Sequence, residues 1–268
     1  MLRVRLVSFY MGWCMRLGAA PWKYFQLNAP WFNSERHLFS KREMDEFIPS
    51  EWRLCQTPLN KTGLPRRWPV FLKPEWGQNS RGIVLARNAS DWEKLSLAMS
   101  QQKVPYLVQE AAPGKREFEL FYIRSGTNQK QFAILSVTET LNHSDQEWPV
   151  NSILNPDTRH TTLNLTKEQQ QQLWNHMARL PDFRIARVGL RADSMQALLA
   201  GRFHIIEINL FVPMPLTLLD QSIPLKQRHD FISKAMKALA ELTLNLPGKK
   251  KRKNIFWPML LLNYRIRS

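Results

Sequence analysis

The segment Phe71-Leu72-Lys73-Pro74-Glu75-Trp76-Gly77-Gln78-Asn79-Ser80-Arg81-Gly82-Ile83 carries a lysine out of one apolar run, through a polar loop, and into the next. Gly77 and Gly82 bound the loop and let backbone N–H groups turn inward, which is the geometry of a nest for phosphate oxygens. Lys73 would bring a point charge to such phosphates. Taken alone, the segment reads equally well as an ordinary surface loop between two strands.

Two further segments change that balance. Val108-Gln109-Glu110-Ala111-Ala112-Pro113-Gly114-Lys115-Arg116-Glu117-Phe118 ends a strand on a polar pair, passes a Pro- and Gly-containing linker, and opens the next strand on an acid. Such a hinge offers backbone donors and acceptors to a base edge, and Glu117 can accept from ribose hydroxyls. A plain strand connection fits it too. Downstream, Arg191-Ala192-Asp193 and Glu207-Ile208-Asn209 each place two polar side chains on one strand face. A hairpin symmetric about residue 200 would set Asp193 opposite Glu207 and Arg191 opposite Asn209. That arrangement gathers hard oxygen donors suited to Mg²⁺. Glu207 sits in the apolar run Phe203–Phe211, where an unpaired carboxylate is costly.

Lys-Pro with a Gly-bounded loop, then Gly-x-x-Glu-Phe, then Arg-x-Asp with Glu-x-Asn resembles, in that order, the ATP-grasp superfamily, and within it the D-alanine–D-alanine ligases and related carboxylate–amine ligases. The resemblance covers roughly residues 49–246. It implies an α+β fold of two subdomains gripping ATP. It implies a phosphate site made by Lys73, Gly77, Gln78, Asn79, Ser80 and Gly82, adenine contacts from Gln109, Glu110 and Ala112, and a ribose contact from Glu117. Asp193, Glu207 and Asn209 would hold Mg²⁺, and Arg191 would join Lys73 as a catalytic cation steadying the reacting acyl group. The expected reaction activates a carboxylate as an acyl phosphate, which an amine then attacks. A kinase on the same fold, or a non-catalytic binding module, are the rival readings. The family's Asn-x-x-Pro-Gly is replaced by Asn209-Leu210-Phe211-Val212-Pro213-Met214-Pro215. A further family lysine has no match, and Arg159 is the candidate in its place.

Composition is that of a folded chain. The chain has 268 residues, 44% of them hydrophobic and 22% charged, enough for a sizeable core. Cys14 and Cys55 are too few for a disulfide framework and lack metal-ligand spacing. The net charge is +16, concentrated at the ends, which points to anionic partners. Three regions are expected: a basic, apolar N-terminal part (1–48), the catalytic unit (49–247) and a basic-apolar tail (248–268).

Leu6–Met15 is too short to span a bilayer, which takes about 20 residues. It can serve as an interfacial helix, as a helix packed on the core, or as a signal peptide, although Arg16 interrupts the last pattern. The tail couples Lys249-Lys250-Lys251-Arg252-Lys253 to Ile255–Leu262, a combination suited to anionic lipid more than to nucleic acid. The expectation is a cytoplasmic protein peripheral to the membrane, acting on small-molecule or cell-envelope acids and amines.

Overall fold

The computed structural model describes residues 2–77, 80–128, 130–152, 155–246 and 253–267. The basic run at 249–252 lies outside them, as do Gln78 and Asn79 of the expected phosphate loop. Helix α1 (Leu2–Leu17) is followed by 3₁₀ turns and the short α2 (Lys41–Glu46). A first unit then contains β1 (Gln56–Pro58), β2 (Val70–Pro74), β3 (Val84–Ala86), α3 (Ala89–Ser100) and β4 (Tyr106–Glu110). The second contains β5 (Arg116–Arg124), β6 (Phe132–Asn142), β7 (Thr158–Thr162), α4 (Lys167–Met177), β8 (Ile185–Ala192), α5 (Met195–Leu199), β9 (His204–Asn209) and α6 (Leu225–Leu244), with α7 (Phe256–Arg267) at the end.

Both sheets are antiparallel. The first has strand order β1-β4-β2-β3 and the second β7-β6-β5-β8-β9. Two α+β subdomains therefore face each other, as the α+β expectation requires. Thr166 and Gln169 close a reciprocal capping box that opens α4.

Strand β5 shows how the sequence places the cleft. Phe118, Leu120 and Tyr122 alternate into the main core, beside Leu173, Trp174 and Met177 of α4. On the opposite face, Phe121 and Ile123 pack under α6, which α1 covers in turn. Towards the start of the strand that second face changes from apolar to acidic, and Glu117 and Glu119 line an open cleft instead. One strand thus supplies core, helix packing and cleft floor through its period-two pattern.

Helix α1 buries Tyr10 and Cys14, and Tyr10 Oη lies 3.0 Å from Thr243 Oγ1 on α6. Its outer face is apolar as well: Val4, Val7, Met11 and Met15, at helical spacing, are 67, 59, 41 and 75% exposed. Among the described residues no helix is long and apolar enough to cross a membrane.

Candidate active site

Between the two sheets lies a cleft of about 380 Å³. Of the residues singled out in the sequence, Lys73, Gly77, Ser80, Ala112, Glu117, Arg191, Glu207 and Asn209 line it. Gly82 and Glu110 are outside that lining. Gln109 is buried directly beneath, where its amide oxygen accepts a 2.5 Å hydrogen bond from Lys73 Nζ and its Nε2 donates to Gln56 and to the Ile206 carbonyl.

Lys73 leaves β2 into this cleft. Burial, with the Lys41 charge nearby, lowers its pKa to about 8, although Glu207, Glu117 and Asp45 favour the charged form. Lys41 is the second cation of this wall. Burial lowers its pKa too, against the attraction of Glu207. Helix α2 carries it, and the start of that helix is fixed from two sides. Ser40 Oγ accepts from Glu43 N, capping the helix, and donates to Glu75 Oε1 at 2.6 Å. Arg36 grips the same carboxylate with both guanidinium nitrogens. The N-terminal region therefore delivers a cleft residue, held against the end of β2.

Ser80, in the cleft lining, is latched to the far side: its Oγ donates to the Asn151 carbonyl at 2.7 Å. Asn151 Nδ2 donates in turn to Glu117 Oε2 at 2.9 Å. Burial pushes the Glu117 carboxyl up, while the Asn151 hydrogen bond and the Arg191 charge pull it down. Arg159 takes no part. Its guanidinium donates to the carbonyls of Pro156 and Thr158 in its own loop.

The opposite wall corrects the expected register. In the β8–β9 ladder Gly189 faces Glu207, Arg187 faces Asn209, and Arg191 faces His204. Asp193 is therefore not opposite Glu207. It follows the end of β8, exposed and outside the cleft lining, about 13 Å along the strand from the expected position. The cause is local. The turn between the strands is not a tight hairpin but helix α5, with Ser194 as N-cap accepting from Ala197 N and Gly201 at φ +75 after its end. A bulge in β9, where Ile206 has no partner, shifts the ladder once more. The displacement is an even number of residues, so Arg191 keeps its face and reaches the cleft, stacked 4.4 Å from the Trp148 ring. The arginine opposite Asn209 is Arg187.

Arg187 stands between two carboxylates, Glu119 Oε2 at 3.3 Å from its Nε and Glu207 Oε1 at 3.5 Å from Nη2. Glu207 also accepts from Asn209 Nδ2 at 2.8 Å, which leaves the Asn209 amide oxygen free of that bond. Burial pushes the Glu207 carboxyl up, but Arg187, Lys41 and Lys73 outweigh it and hold it below the usual range. Lys41, Arg187 and Glu119 are three charged cleft residues that the sequence motifs did not single out. A helix-start pattern at Ser40-Lys41-Arg42-Glu43 and the same-face pair Glu117-x-Glu119 were the available signals.

Glu207 and Asn209 fit a divalent cation, since they offer hard oxygen donors from one strand face and Mg²⁺ takes its remaining ligands from water and phosphate. Among the described residues no group of three or more His, Cys, Asp or Glu forms a metal cage by itself.

No protein-family model and no curated protein matches the chain. Solved structures do. The D-alanine–D-alanine ligase of Bacillus anthracis complexed with ATP superposes with a TM-score of 0.50 at 13% identity, covering 77% of this chain and 66% of that one. The VanG D-Ala:D-Ser ligase of Enterococcus faecalis gives 0.50 at 11% identity, covering 76% and 61%. The chain thus spans under two thirds of the length of these ligases, and at such identity the likeness is one of fold.

Proposed function

On the ATP-grasp fold that this chain adopts, we propose that it is an ATP- and Mg²⁺-dependent ligase joining a carboxylate to an amine or similar nucleophile. The observation that carries this reading is the opposition of Lys41 and Lys73 on one wall to Arg187, Glu207 and Asn209 on the other, within a single cleft. Lys73 and Lys41 would receive nucleotide phosphates, and Gly77 and the latched Ser80 would lie beside them. Glu207 and Asn209 would hold the cation, which when bound neutralises phosphate charge. Ala112 would lie against the base and Glu117 would accept from the ribose. Arg187 would steady the oxyanion that develops on the acyl group, a role that a charged fork suits. Arg191 lines the same cleft farther along β8, next to Trp148, on the side left for substrate.

Incubation with Mg-ATP and a panel of small and cell-envelope acids and amines tests the reaction. ADP release that requires both acid and amine, with an amide in the mass spectrum, supports it. A phosphorylated acceptor would make the protein a kinase, and nucleotide binding without turnover a binding module.

A second part of the reading concerns location. Arg3 of α1 and Leu260 of α7 both line the cleft, so both terminal helices border its rim. The exposed stripe of α1 and the exposed Trp257, Leu260 and Leu261 of α7 suit docking on an anionic membrane, aided by the basic tail. The site would then work at the cytoplasmic membrane face.

A further inference from the structure

Three residues lie in a row across the cleft floor: Glu119 on β5 pairs with Gly189 on β8, and Gly189 with Glu207 on β9. The middle position has no side chain. A Cβ built on Gly189 would stand 3.3 Å from Glu207 Cγ and 3.4 Å from Glu119 Oε1, so both glutamates bend into the space above the glycine. That space is where a carboxylate from β8 would have met Glu207 had Asp193 occupied the expected register. Glu119 starts one strand farther away and carries one more methylene than an aspartate, which suits the longer reach.

Glu119 also has an unfilled need. It is 8% exposed and lines the cleft, yet its Oε2 makes no hydrogen bond among the described residues. Arg187 Nε, 3.3 Å away, makes none either. A buried carboxyl that holds one ion-pair contact to Arg187 but no hydrogen bond on that oxygen still has a lone pair to offer a further cation. Resting on the ligase reading above, we propose that Glu119, reaching over Gly189 from the neighbouring strand, is the second carboxylate of the divalent-cation site opened by Glu207 and Asn209. Arg187 then serves as the counter-ion of an unloaded site, and is released towards substrate when a metal–nucleotide complex takes over the two carboxylates.

The test is Mn²⁺ binding, read by electron paramagnetic resonance in the presence of a non-hydrolysable ATP analogue, with thermal melting as the check on folding. Glu119→Gln should weaken Mn²⁺ binding by roughly 10–100-fold, and Glu119→Asp, too short to reach, should behave alike. The exchange Glu119→Ala/Gly189→Asp returns a carboxylate to β8 and should regain affinity to within a few-fold of the unaltered protein. Unchanged affinity in Glu119→Gln while Glu207→Gln loses it would overturn the proposal and leave the ligase reading standing. A loss in Glu119→Gln that the exchange does not regain would also overturn it, making Glu119 a spacer for Arg187. If neither glutamate affects Mn²⁺, the metal site of the ligase reading itself fails.

Discussion

The amide oxygen of Gln109 accepts a 2.5 Å hydrogen bond from Lys73 Nζ, so a residue of the hinge strand aims the principal cation of the cleft. The two residues sit on paired strands, with Phe71 opposite Gln109, and the bond crosses from one to the next. Gln109→Leu keeps the volume and removes the acceptor. A hydrogen bond to a charged group is worth about 1.5–3 kcal/mol, so ATP affinity should fall roughly 10-fold or more. Isothermal titration calorimetry reads this directly. Equal affinity in the variant would show that Lys73 needs no such support.

Burial and the Lys41 charge give Lys73 of the free protein a pKa of about 8. Bound phosphates favour its charged form and raise that value. Nucleotide affinity should therefore be steady below pH 7 and decline as the pH rises through about 8, with proton uptake on binding in that window. Calorimetry in two buffers of different ionisation enthalpy measures the uptake, which Lys73→Met should reduce. The effect on folding has the opposite sign. The unfolded chain binds the proton more tightly, so Lys73 costs stability below pH 8, and that cost disappears as the pH rises towards the ordinary lysine value of 10.5.

Glu75 fastens α2 to β2 through Arg36 and Ser40. Burial pushes its carboxyl up, but those two hydrogen bonds prevail and hold it below the ordinary glutamate value of 4.5. Its stabilising contribution is accordingly present above about pH 4.5 and is lost as the pH falls through its lowered value. Glu75→Gln should cost roughly 1–3 kcal/mol, visible as a Tm lower by several degrees. Because α2 carries Lys41, the KM for ATP should rise in the same variant. A lowered Tm with unchanged KM would separate the clamp from the site.

The outer stripe of α1 gives the membrane reading its own test. Met11→Glu with Met15→Glu places two charges on an exposed face without touching the α6 contact. Co-sedimentation with anionic vesicles should drop severalfold while nucleotide binding stays unchanged. Deletion of residues 248–268 should act in the same direction. Full sedimentation of both altered forms would remove the membrane from the account.

What could be read from the sequence was what local chemistry dictates. Lys73 at the end of β2, the Thr166–Gln169 cap and the alternation in β5 each carry their own signal in neighbouring residues. Pairing register depends on what lies between the strands. Ser194-Met195-Gln196-Ala197 with Gly201 beyond is a helix written in its caps, and reading it as a tight turn moved the ladder by four residues. That misreading set Asp193 opposite Glu207 and Arg191 opposite Asn209, where the ladder has Gly189 and Arg187. Lys41 escaped for a different reason. Nothing near residue 41 signals phosphate, and only the tertiary clamp of Arg36 and Ser40 on Glu75 brings it to Lys73.

The central claim is that one cleft binds Mg-ATP between Lys73 and the Glu207–Asn209 pair. Titration of the purified protein with Mg-ATP tests it most directly, repeated on Lys73→Ala and Glu207→Gln. The account predicts saturable binding by the unaltered protein, weakened roughly 10-fold or more in each variant. Equal binding by all three, or none by the unaltered protein, would contradict it.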